Sequence, residues 1–330
     1  MRTSCGTDPE RIFQSLLILQ ENCDSTPHLV ASRAELLYRF LVRIRAALPS
    51  DLASFFVGAA ARIAGASRRL SGSPDEAFEW LDVAEAAFQE GICARPELAR
   101  VTYQRLAVLY GLGRSGLVND AIQTLEKGFL AFGMREDYVK CRILWASSLK
   151  ISGRCEVALD VLEPLRKMRH EITPALFGRV LLELGDLHQI EGDYDRGLAD
   201  LNEAATLLRE GGQLTGLADA ASMLGASCRA RGMLNEAIRF YEKGREAYSQ
   251  LGMKYLEAYM RILLAETYLA MGKLVETERQ VLAALPTLQE QHMVVEVTAG
   301  LGILQEAARR RSLDPVALRE FVQGRGHKRT

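Results

Sequence analysis

The sequence predicts an all-α protein built as a linear array of helical hairpins, on three observations. Residues that favour helices dominate, no stretch rich in Val, Ile and Thr alternates as a strand would, and a glycine-centred pattern returns roughly every 40 residues. Of the 330 residues, 48% are apolar and 25% charged, a balance suited to a folded chain rather than a disordered one.

The same composition excludes several functions. A formal net charge of −1 argues against general nucleic-acid affinity, which needs a basic surface to displace counterions. The opening MRTSCGTDPERIFQ places Asp-Pro-Glu-Arg where a secretion signal would need an apolar core, and no window approaches the roughly 20 apolar residues of a membrane span. Six cysteines (Cys5, Cys23, Cys93, Cys141, Cys155, Cys228) are scattered without a C-x-x-C motif, so they read as reduced thiols and the location as cytoplasmic.

In chain order, residues 1–50 are expected to form N-terminal capping helices, over Asp8–Glu21 and Pro27–Leu48. Residues 51–291 are expected to form six hairpins, each turning at Gly72, Gly116, Gly153, Gly192, Gly232 or Gly272, with successive spacings of 44, 37, 39, 40 and 40. Five residues after each glycine comes a mostly small residue: Ala77, Ala121, Ala158, Gly197, Ala237 or Thr277. Nine after it comes a large one, Leu81, Leu125, Leu162, Leu201, Tyr241 or Val281. The small residue lets the second helix lie close to the first, and the large one fills the space where they diverge. Leu106, Trp145, Leu184, Leu224 and Leu264, each followed by Ala or Gly, serve the first helix in the same way. The glycine ends that helix in a conformation other residues resist. Ser73-Pro74-Asp75-Glu76 reads as an N-cap, a first-turn proline and a capping-box glutamate, with Asp193 and Asn235-Glu236 as weaker versions. Residues 292–323 form a degenerate C-terminal hairpin or cap, with Val294–Arg311 as its first helix and Asp314-Pro315 opening a short last one. The basic tail 324–330 follows.

The pattern Leu224-Gly225 … Cys228 … Gly232 … Ala237 … Tyr241 … Gly244, with close copies around Leu184 and Leu264, resembles the tetratricopeptide repeat family over about Asp51 to Gln291. The period is nearer 40 than the common ~34. Glycine-bearing connectors at Gly91, Gly133-Met134, Gly211-Gly212 and Gly252-Met253 resemble those of long-repeat bacterial regulators and peptide-pheromone receptors. The resemblance implies a right-handed α-solenoid whose first helices line a binding groove. Carried onto this chain, inward positions include Arg62, Arg69, Gln104, Arg105, Lys140, Ile143 and Lys150 toward one end. Toward the other they include Arg179, Leu182, Glu183, Asp186, Asp219, Arg229, Tyr259, Ile262 and Glu266. The family's carboxylate-clamp pairs read Arg62/Ala66, Gln104/Val108, Ile143/Ser147 and Leu182/Asp186, so that clamp is missing.

Catalytic signals are thin. The five histidines fall in different units with no metal-ligand spacing, His188 reads as a packed core residue, and neither a P-loop nor a dinucleotide motif occurs. The expectation is therefore a non-enzymatic, cofactor-free cytoplasmic bacterial scaffold that holds a peptide or partner protein with an acidic segment. The end hairpins are left as surfaces for a second copy. The alternative is a regulatory sensor that binds a small peptide or metabolite and signals to a partner in trans.

Overall fold

Every regular element is helical in the computed structural model, which describes residues 8–23, 26–91, 94–290 and 293–312. The segment from Asp314 onward, the basic tail, Cys5, Cys93, His292 and His327 lie outside the described residues. The chain divides into two compact units, one ending at Gln213 and the other starting at Leu214.

The first unit opens with α1 (Pro9–Glu21) and α2 (Pro27–Ile44). Asp8 caps α1 by accepting a hydrogen bond from the Glu10 N–H at 3.1 Å. Helix α2 lies against α3 (Ser50–Leu70), and its Tyr38 meets Trp80 of α4 (Pro74–Gln89) edge-on with ring centroids 5.0 Å apart. Three more hairpins follow: α5 (Ala94–Gly111) with α6 (Ser115–Ala131), α7 (Arg135–Ile151) with α8 (Cys155–Leu162), and α9 (Pro174–Ile190) with α10 (Tyr194–Glu210). Helix α8 is short because Pro164 cannot continue it, and the chain tightens there into a 3-10 turn over Glu163–Met168. The first helices α3, α5, α7 and α9 touch in series and form one face of the unit.

The second unit pairs α11 (Leu214–Ala230) with α12 (Leu234–Gln250) and α13 (Lys254–Ala270) with α14 (Leu274–Glu290), and α15 (Val294–Ser312) packs on both α13 and α14.

The close approach expected within hairpins has a measurable cause. A Cβ on Gly185 would lie 2.7 Å from Leu201, and one on Gly225 would lie 2.6 Å from the Tyr241 ring, so only glycine lets these helices meet. Tyr241, Leu81, Leu162, Leu201 and Val281 are all fully buried.

Two local expectations are corrected. The second hairpin turns at Gly113 (φ +73°), not Gly116, which lies in the first turn of α6. The turn glycines are then Gly72, Gly113, Gly153, Gly192, Gly232 and Gly272, spaced 41, 40, 39, 40 and 40. At each, the glycine N–H and the N–H after it close back on the preceding helix. At Gly113 they donate to the carbonyls of Tyr110 and Leu109, both at 2.9 Å. With this register the core positions of α6 are Val118, Ile122 and Leu125, all buried, whereas Ala121 is exposed. The second correction concerns Ser73, whose side chain makes no capping hydrogen bond; Glu76 turns instead to Arg68 at 3.1 Å, closing no capping box.

Candidate ligand-binding cleft

The first-helix face of the first unit is not an open row of arginines. Helix α1 crosses α3, and Arg62 is buried beneath it, its Nη1 donating to Gln20 Oε1 at 3.1 Å. From Arg62 a chain of opposite charges runs through successive first helices. Arg62 Nε is 3.4 Å from Glu97 of α5, Glu97 also pairs with Arg100, and Arg100 reaches Asp137 of α7 at 2.9 Å. Burial lowers the pKa of Arg62, opposed by the charge of Glu97. Burial acts the same way on Arg100, but its hydrogen bond to Asp137 and the charge of Glu97 prevail and raise it. Further along, Lys150 of α7 joins Glu183 at 2.9 Å and Asp186 at 2.6 Å, both on α9. The second unit repeats the device, Arg229 of α11 meeting Glu266 of α13 at 2.6 Å.

Between these links a cleft of about 550 Å³ opens among α1, α3, α5 and the start of α7. Its size is that of a small-ligand site. One wall is apolar: Phe13 and Leu17 of α1, which are 43% and 39% exposed, with Phe55, Ile63, Tyr103 and Met134. The Arg62–Glu97–Arg100–Asp137 chain also lines it, as do Gln104, Arg135, Glu136 and Lys140. One buried polar atom here, Gln104 Oε1, has no partner, while Arg62 Nε and Glu97 Oε2 have only their mutual 3.4 Å ion pair.

Of the residues the resemblance placed inward, Arg62, Gln104 and Lys140 line this cleft. Arg69 is half-buried on α3 with its Nε unpartnered. Arg105 turns toward α4, where it pairs with Asp82 and Glu85 at 2.7 and 2.6 Å. Ile143, Leu182 and Ile262 are buried, Arg179 is exposed and Tyr259 is half-buried. Lys150 and Asp186 bind each other, as do Arg229 and Glu266. Glu97, Arg100, Tyr103 and Asp137 escaped notice, and the register explains two of them. Counted from Gly113, the places equivalent to Lys140 and Ile143 are Arg100 and Tyr103. Glu97 and Asp137 also share one place, sixteen residues before Gly113 and Gly153, a signal open to anyone with the correct turn glycine.

His188, 4% exposed, sits between Asp200 (3.0 Å) and Glu163 (3.3 Å). Asp200 also takes a two-pronged bond from Arg166 at 2.9 and 2.7 Å, so this cluster ties α9, α10 and the 3-10 turn together. Among the described residues no group of His, Cys, Asp and Glu is arranged to hold a metal, and no helix is long and apolar enough to cross a membrane.

The tetratricopeptide repeat family model matches residues 177–250. No curated protein sequence matches the chain. Among solved structures it is similar to a Rap protein complexed with competence and sporulation factor (13% identity, 92% of this chain and 99% of that one, TM-score 0.57). It is also similar to the Rap conjugation gene regulator of plasmid pLS20 in complex with the Phr* peptide (14%, 79% and 75%, TM-score 0.57). A third likeness is to NprR in complex with its cognate peptide NprX (15%, 93% and 86%, TM-score 0.57). At these identities the likeness is one of fold. Residues 177–250 are tetratricopeptide repeats, and the chain is an all-α array of hairpins of that family's type.

Proposed function

We propose that the chain is a peptide-binding regulatory scaffold, working by binding rather than catalysis, with its ligand seated in the cleft of the first unit. The observation that carries this reading is the cleft itself, an amphipathic opening with exposed Phe13 and Leu17 and with the buried Gln104 Oε1 left unbonded. Similar folds solved with bound peptides support it. The paired charges weigh against an extended acidic partner gripped by a row of free arginines, because Arg62, Arg105 and Lys150 already have carboxylate partners. A short peptide in a defined cleft suits the lining better. Such a ligand fits a cytoplasmic regulator that passes its signal to a partner in trans.

Affinity selection from a pool of random heptapeptides, read by mass spectrometry, tests this on the full chain. Wild type is expected to retain a subset of peptides, and Phe13→Glu/Leu17→Glu to lose at least tenfold in retention while melting normally, since both side chains are exposed. Equal retention by the double variant would place the ligand elsewhere.

A further inference from the structure

The lining of the cleft is specific about its occupant, granted that the occupant is a peptide. Lys140 is half-buried, lines the cleft, and has no hydrogen bond or ion pair among the described residues, unlike Arg62, Arg100 and Lys150 nearby in the array. Glu136 and Asp137, one turn away on α7, are taken by Thr173 and Arg100, so this half-buried cation without a direct partner leaves a place for an anion. Gln104 is half-buried in the same lining, and its Oε1 is buried and unbonded. An amide in that condition calls for an N–H from outside. Glu97, 7% exposed, is already engaged by Arg62 and Arg100, so Lys140 is left as the cation for a ligand's carboxylate. The same cleft is lined by Phe13, Leu17, Phe55 and Met134, apolar side chains that are partly open to solvent.

The polar and apolar halves of one cleft specify a ligand with matching halves. We propose that the cleft takes an apolar group adjoining a carboxylate: the apolar part against Phe13, Leu17 and Met134, the carboxylate on Lys140, and a neighbouring N–H on Gln104. Two sources share this chemistry. One is the free C-terminus of a peptide ending in an apolar residue, and the other is an Asp or Glu side chain beside an apolar one.

The probe is a random pentapeptide pool in three forms: free acid, C-terminal amide, and C-terminal amide made without Asp or Glu. The full chain is used, as wild type, Lys140→Met, Lys140→Glu and Gln104→Leu. Wild type is expected to retain the free-acid pool. Retention of the second pool but not the third assigns the carboxylate to a side chain, and loss of both assigns it to the C-terminus. Lys140→Met should weaken retention at least tenfold and Lys140→Glu more. Gln104→Leu supplies a readout that a merely structural residue would not give. It removes an unbonded buried amide oxygen, so the melting temperature should hold or rise while retention falls at least tenfold. Undiminished retention by both Lys140 variants, or equal retention of all three pools, would overturn the carboxylate assignment and leave the peptide scaffold standing. If wild type retains no peptide in any form, both readings fall.

Discussion

Glycine does two different jobs in this chain, and single methyl groups separate them. At Gly113 the backbone is left-handed (φ +73°) with open space where a Cβ would go, so a side chain there is resisted by conformation alone. At Gly116 the backbone is helical and the space equally open. Gly113→Ala should therefore cost about 1 kcal/mol, whereas Gly116→Ala should be neutral or stabilise by up to about 1 kcal/mol, because alanine loses less freedom in a helix. Denaturant midpoints of the two variants check the turn assignment, and reversed effects would restore Gly116 as the hinge. The error behind that expectation is instructive. Ser115-Gly116 and Leu112-Gly113 both fit a turn, and Ala121 and Leu125 supplied plausible partners for the wrong one. The regular spacing of about 40 is the stronger guide. Five of six turns were legible at once because a turn glycine, a small residue and a large residue recur together, and that combination has a steric reason.

At the scale of the element, what holds successive first helices together is partly electrostatic. Lys150 of α7 reaches two carboxylates on α9, and although burial works against its charge, Glu183 and Asp186 raise its pKa above the ordinary lysine value of 10.5. Lys150→Met keeps the aliphatic stem and removes the charge, leaving two carboxylates facing each other without their cation. A loss of about 1–3 kcal/mol in unfolding free energy is expected at pH 7. A raised folded pKa means the lysine's contribution is complete below about pH 10.5 and declines as pH rises past it. The difference between wild type and variant should thus stay constant from pH 7 to 9 and shrink in more alkaline solution. A difference that grew with pH would contradict the assignment. Helix boundaries in this array were readable from periodicity and turn signals. The pairing of Lys150 with α9 was not, because it depends on how adjacent hairpins rotate against each other, which no local pattern encodes.

For the whole molecule, the sequence reading reached the architecture through repetition and fell short at the site through tertiary placement. Helix α1 announces itself by Asp8-Pro9 and an apolar stripe of Ile12, Leu16 and Leu19, yet nothing in those residues tells that it crosses α3 and buries Arg62. That crossing converts one end of an expected open groove into a cleft with an apolar wall. Gln104 and Lys140 were found by family offsets; Arg100 and Tyr103 were missed because the offsets on α5 were counted from Ala107, one place off the register that Gly113 sets. The central claim is that a peptide occupies this cleft. Its most direct measurement is hydrogen–deuterium exchange of the full chain, alone and saturated with the peptide it retains most tightly. Protection is predicted in the segments that line the cleft, residues 13–20, 55–63, 97–104 and 134–140. Protection confined to helices outside those segments, or exchange unchanged at saturation, would contradict it.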